Sequence, residues 1–217
     1  MRIGFDYGTS NCAVAVMAEG QVRRVALEGD ECYLPSTLFA PHREAIADLL
    51  LQQLPSHRQA SFAQERQQAI TKGRRLRDSL EDEGLEYQLL VGRAATERYL
   101  AAPEEGYYLK SPKSFLGATG LSEGQIQLFR DIVAAMMVTI KQRAEQALGA
   151  DIQDAVIGQP VNFQGLGGEE SNRQARTILT DAAHLAGFRQ VEFQFEPVAA
   201  GLEYEASLQQ PQNVLVL

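Results

Sequence analysis

The opening stretch RIGFDYGTSNCAVAVMAEGQVRRVAL, Arg2–Leu27, constrains the fold more than any other part of the chain. RIGFDYG alternates apolar and polar residues, CAVAVMA is a near-continuous run of small apolar residues, and QVRRVAL follows Glu19-Gly20 at hairpin spacing. Connections this short leave no room for a crossover helix, so the three strands form an antiparallel meander. Its first turn is crowded with polar groups: Asp6, Gly8, Thr9, Ser10 and Asn11. A hairpin needs only one Asn-Gly pair.

From Pro35 to Gly117 the pattern changes. Arg, Gln and Glu dominate, helical stretches replace strands, and one strand-like piece, YQLLVG, falls near 87–92. This reads as a mostly helical insertion. The core pattern then resumes. Ser122 and Gln125 form a capping box, Ile126, Phe129, Val133, Met136, Ile140 and Ala144 follow helical spacing, and Gly149 sits at the C-terminal cap. DAVIGQP is a short buried strand. The next helix carries Ala175, Ile178, Leu179, Ala182, Leu185 and Ala186 and stops at Gly187. QVEFQFE is a further strand, Pro197 takes the first position of the helix EPVAAGLEYEA, and NVLVL is a last apolar strand. This order gives a mixed α/β sheet with flanking helices. A run that wants burial on both faces ends the chain at Leu217, which reads as a truncated polypeptide.

A formal net charge of −8 argues against an extended nucleic-acid surface. The basic stretch KGRRLRDSLEDEG turns acidic within a few residues and reads as a solvated helix face. The longest apolar run, ADLLLQQL, is too short to span a bilayer, and no signal peptide is visible. Cys12 and Cys32, without CxxC spacing, read as structural thiols of a reducing compartment, so the expectation is a cytoplasmic protein with neither nucleic acid nor membrane as partner. His42, His57 and His184 share no spacing, and GLGG in QGLGGEE reads as a flexible surface loop rather than a phosphate cradle.

A tight turn between strands presents successive backbone N–H groups as an anion-binding nest. Gly8 lets the backbone approach a ligand, Thr9 and Ser10 add hydroxyl donors, and Asp6 at a strand end suits a hydrated Mg²⁺ held through its waters. The chemistry matches a polyphosphate with its metal, although GxxxxGK[ST] and GxGxxG are both absent. On the turn alone, a decorated hairpin stands as the alternative.

IGFDYGTSN, AVIGQPVNF, NRQA and FEPVAAGLEYE, in that order and spacing, together resemble the DnaK-type heat-shock chaperone ATPases of the actin-like ATPase superfamily. The resemblance covers essentially the whole chain and is weakest at 35–90, as in a divergent, YegD-like branch. It implies an α/β, actin-like (ribonuclease H-like) lobe: a mixed sheet with flanking helices and an inserted, mostly helical subdomain. Residues 1–34 and 118–209 would form the core of the first nucleotide-binding lobe, 35–117 the inserted subdomain, and 210–217 the first strand of a second lobe.

Carried over by position, the resemblance implies Mg²⁺ and ATP or ADP as cofactors. Asp6 would orient the metal's waters, and Gly8, Thr9, Ser10 and Asn11 would form the first phosphate loop, Ser10 standing where a second Thr is usual. Lys113 in SPKSFLG matches a lysine that reaches the γ-phosphate and attacking water, with Lys110 as a rival. Glu196, before Pro197, matches a glutamate associated with metal and water. Pro160 and Arg173 match an interdomain relay, interrupted here by the extra length of QGLGGEE. The implied function is a chaperone whose two-lobed clamp binds and hydrolyses ATP to switch a peptide-binding partner or domain, with peptide clients and co-chaperones as further partners. Alternatives within the superfamily are a filament-forming ATPase, a small-molecule kinase and a non-catalytic nucleotide-sensing scaffold. A chain ending at Leu217 would lack the second phosphate loop and the base pocket, so this fragment alone is expected to bind ATP weakly and not to turn it over.

Overall fold

The computed structural model describes residues 1–213 other than 167, 207, 209 and 211. The opening meander is β1 (Arg2–Tyr7), β2 (Asn11–Ala18) and β3 (Gln21–Arg24), each antiparallel to the next. β3 is shorter than its sequence suggested. The chain leaves the strand at Val25, whose N–H bonds the Val14 carbonyl at 2.8 Å, and turns Val25 and Leu27 into the core. A short strand, β4 (Tyr33–Pro35), pairs with the first residues of β2, on the edge whose later residues β3 occupies.

On the other side of β1 lie β8 (Asp154–Gln159) and β9 (Gln190–Phe195), both parallel, giving the order β3-β2-β1-β8-β9. The sheet is therefore mixed, as the sequence indicated. Between its halves come β5 (Thr37–Ala40), α1 (Ile46–Gln53), α2 (Ser56–Glu65), α3 (Gln67–Asp82), β6 (Leu90–Val91), α4 (Arg93–Ala101) and β7 (Tyr107–Lys110). β6, β5 and β7 form a second, antiparallel sheet, of which the sequence marks only one strand-like piece. The cause is local: all four residues of β5 are buried, so no alternation marks it.

α5 (Glu123–Leu148) has the expected capping box and a left-handed Gly149. Its residues Ile132–Val138 are buried without a break because it packs against the sheet, α1 and α6 (Glu169–Leu185) at once. On the sheet face below, Ile3, Phe5 and Tyr7 alternate inward, and the Tyr7 hydroxyl donates to Met136 Sδ at 3.4 Å. Asp131 of α5, fully buried, accepts from Arg66 Nε at 2.8 Å and pairs with Arg130 at 3.2 Å, fastening the α2–α3 junction to α5. The basic face of α3 is only partly solvated: Arg77 and Arg74 pair with buried Asp48 at 3.1 and 3.4 Å.

After β9 the chain enters α7 (Glu196–Glu205), one residue earlier than expected, with Pro197 in its second position. The strand NVLVL lies outside the described residues apart from Asn213. Among the described residues no helix is long and apolar enough to cross a membrane.

Candidate functional site

The period-two alternation that buries Ile3, Phe5 and Tyr7 places Asp6 on the opposite face, near the carboxyl end of β1. β8 runs parallel beside it with Ile157 opposite Phe5, so Gly158 comes alongside Asp6. β9 runs parallel to β8 and delivers Glu196 directly after its last residue, Phe195, which lies opposite Gln159. Three carboxyl ends of adjacent parallel strands or their extensions thus meet at one edge, where ligands of open α/β sheets bind.

Lys113 reaches this edge from the other sheet. After β7, Ser111 adopts a left-handed conformation (φ 59°) and starts a 3₁₀ turn, Pro112–Phe115, that carries the lysine inward. Lys113 is 5% exposed, and its Nζ donates to Glu196 Oε1 at 2.5 Å. Lys110, the sequence's rival, is exposed at the end of β7. On its far side the turn is held by Gln174 of α6, whose amide donates to the carbonyls of Leu116 at 2.8 Å and Ala118 at 3.0 Å.

Partial burial raises the Asp6 carboxyl above its ordinary pKa; Lys113 opposes the rise and Glu196 adds to it. Two carboxylates share one lysine, which leaves the edge short of positive charge. Gly158 keeps the space between them open, since a Cβ there would lie 3.4 Å from Glu196 Cγ and 3.8 Å from Asp6 Oδ1. Among the described residues no group of three or more His, Cys, Asp and Glu could hold a bare metal ion. Two carboxylates beside an open space do suit Mg²⁺ that keeps most of its waters.

The loop from Gly8 to Asn11 borders this edge. The side chains of Thr9, Ser10 and Asn11 are exposed and make no hydrogen bond to the described residues. Gly8 is required for a different reason from the one its sequence suggested. A Cβ there would lie 2.2 Å from the Asn11 carbonyl oxygen, so the glycine closes the turn on itself before any ligand arrives. Ser36, which no sequence pattern singled out, fixes the loop: its hydroxyl donates to the Gly8 carbonyl at 2.7 Å and its N–H to the Ser10 carbonyl at 2.9 Å.

Pro160 follows β8 directly, whereas Arg173 is exposed on α6, at the wall of a cavity of about 340 Å³ between α5 and α6. The α6 arginine tied to the end of β8 is Arg176, whose Nε donates to Gln159 Oε1 at 3.1 Å. Of the GLGG stretch, which the sequence reads as a flexible surface loop, Gly165 is packed while Gly168 has open space around it. Gly165 and Gly117 approach so closely that a Cβ on Gly165 would lie 2.0 Å from the Gly117 carbonyl oxygen. Leu166 beyond it is exposed.

Comparison with known proteins finds sequence similarity along the chain. Residues 119–217 match the Hsp70 protein family. Over that stretch the chain is similar to Hsp70 proteins. It is 29% identical over 210 residues to the chaperone protein HscA homolog of Cupriavidus taiwanensis, covering 94% of this chain and 28% of that protein. It is 27% identical over 216 residues to the chaperone protein DnaK of Anaplasma marginale, covering 99% of this chain and 28% of that protein. The HscA homolog of Histophilus somni is 26% identical over 204 residues. The chain thus spans 28% of the length of these curated relatives. Pro160, Arg173 and Glu196 fall inside the Hsp70-matched region, and Asp6, the 8–11 loop and Lys113 precede it.

Proposed function

We propose that this chain is the first phosphate-binding half of an Hsp70-type chaperone ATPase. The observation that carries the reading is the meeting of Lys113, Glu196 and Asp6 at the carboxyl edge of β1, β8 and β9, beside a loop whose hydroxyls make no hydrogen bond to the described residues. The amides of the 8–11 loop, with Thr9 and Ser10, would hold the phosphates of ATP or ADP. Asp6 and Glu196 would hold Mg²⁺ through its waters; when bound, the metal supplies positive charge to the phosphate oxygens. Lys113, released from Glu196 as phosphate approaches, offsets the charge that develops on the transferred group. Glu196 then accepts a hydrogen bond from water instead of from lysine and orients it. A second lobe would complete the clamp, and its closure would report nucleotide state to a peptide-binding partner or domain, with Pro160 and the arginines of α6 in the path.

The test is Mg·ATP hydrolysis by the full-length polypeptide beside Lys113→Ala. Turnover that the substitution abolishes in a folded protein supports the reading. Turnover unchanged by Lys113→Ala overturns the role given to the lysine, and ATP binding without turnover in either protein makes the clamp a nucleotide-sensing scaffold.

A further inference from the structure

Ser36 lies where the two sheets meet. Its neighbour Pro35 ends β4, opposite Asn11 of β2 in the large sheet, and its other neighbour Thr37 begins β5, opposite Lys110 of β7 in the small one. The residue is 1% exposed, and all its polar groups are engaged. Its hydroxyl and N–H hold the carbonyls of Gly8 and Ser10, while its own carbonyl accepts from the Ser111 N–H at 2.8 Å. Ser111 is the left-handed residue that launches the turn bearing Lys113, and a non-glycine residue keeps that conformation only where neighbours hold it. Cys12 Sγ lies 3.3 Å from the Ser36 hydroxyl. Burial pushes the Cys12 thiol up to about 12, so it has a proton to give. The short 2.7 Å contact assigns the serine's own proton to Gly8, and the result is a chain from thiol to hydroxyl to carbonyl.

We infer that Ser36 is a positioning residue that couples the Gly8–Asn11 loop to the Lys113 turn, so that the two shift as one unit. The coupling stands on the hydrogen bonds alone; its consequence for nucleotide rests on the phosphate-site reading above. Movement of the loop onto a phosphate would then be transmitted through one backbone unit to the lysine. A loop anchored only to its own hairpin could not do this.

The experiment compares amide NMR spectra of the chain as wild type, Ser36→Ala, Ser36→Thr and Tyr87→Phe, first without nucleotide and then with Mg·ATP. Tyr87→Phe removes a hydroxyl that donates to the Gly73 carbonyl at 3.0 Å and lies 3.2 Å from Asp48 Oδ2, in the helical part of the molecule, and serves as the control for lost stability. Ser36→Ala is expected to shift the amides of both 8–11 and 111–114 and to speed exchange of the Ser111 N–H by about tenfold. Ser36→Thr, which keeps the hydroxyl, restores both sets, and Tyr87→Phe moves neither. With Mg·ATP, Ser36→Ala in the full-length polypeptide weakens binding by about tenfold relative to wild type. Shifts confined to 8–11 in Ser36→Ala would overturn the coupling, as would the same double shift in Tyr87→Phe. If the wild-type full-length polypeptide binds no Mg·ATP the phosphate reading fails, while the nucleotide-free spectra still decide the coupling.

Discussion

Lys113 and Glu196, 83 positions apart in the chain, meet at 2.5 Å with the lysine buried and the glutamate partly in solvent. The asymmetry matters. The lysine has left water and depends on its carboxylate partners, whereas Glu196, 41% exposed, retains solvation and is free to exchange partners. An ion pair of this kind is suited to switching rather than to holding a fold together.

Replacing the lysine tests that asymmetry. Lys113→Met keeps the buried stem and leaves Asp6 and Glu196 facing one another. The expected loss is about 1–2 kcal/mol, below the 3–5 kcal/mol of a fully buried pair because water reaches Glu196. Urea unfolding measures it, and a loss above that range would mean that the pair is structural.

Asp6 should make the protein less stable as pH rises. Partial burial lifts its pKa above 3.8, so the folded state keeps this proton to higher pH than the unfolded chain does. Between 3.8 and the folded value the native state binds more protons, and stability falls as pH rises through that window. Buried Asp131 is shifted in the same direction, so the measurement is a comparison of variant with wild type. Asp6→Asn is expected to melt at or above the wild-type temperature at neutral pH and to show a flatter pH dependence, while losing Mg²⁺-dependent nucleotide binding. A variant less stable than wild type at neutral pH would contradict this.

Two glycines at the site should respond in opposite ways. Gly8→Ala forces a Cβ to within 2.2 Å of a backbone oxygen and should cost about 1–3 kcal/mol. Gly158→Ala meets only ordinary contacts, the nearest at 3.4 Å, and should change stability by less than about 0.5 kcal/mol. Its new methyl group nevertheless fills the space between Asp6 and Glu196. Thermal melting and Mg·ATP binding separate the two: Gly158→Ala keeps its melting temperature and binds more weakly.

Asp131 anchors the helical part. It is wholly buried between Arg66 and Arg130, and Asp131→Ala leaves both guanidinium groups without it. The expected cost in urea unfolding is about 3–5 kcal/mol, and a cost under about 1 kcal/mol would show that Glu65 and Gln127 alone satisfy the arginines.

The parts of this fold legible in the sequence are those written locally. The opening meander, the capping box of Ser122 and Gln125, the left-handed Gly149 and the polar loop after β1 each follow from a few adjacent residues. β5 carries no alternation because all four of its residues are buried, and β7 carries none because its residues are half-buried or exposed. The basic face of α3 looked solvated because its partner, Asp48, lies on another helix. The candidate site divides in the same way. Asp6 and the 8–11 loop stand out by composition, and Lys113 and Glu196 were found only through a family resemblance. Ser36, Gly158 and Gln174 act through backbone contacts or through the absence of a side chain, and no residue pattern announces such roles. Arg176 meets Gln159 because of the pitch of α6, which spacing alone does not align with β8.

The most direct measurement is the response of backbone amides to ATP with and without Mg²⁺, in wild type and Lys113→Met. The account predicts Mg²⁺-dependent shifts at Gly8–Asn11, Lys113 and Glu196, strongly diminished in the variant. Shifts that ignore Mg²⁺ and the substitution, or that gather in the cavity between α5 and α6 while the 8–11 loop stays still, would contradict it.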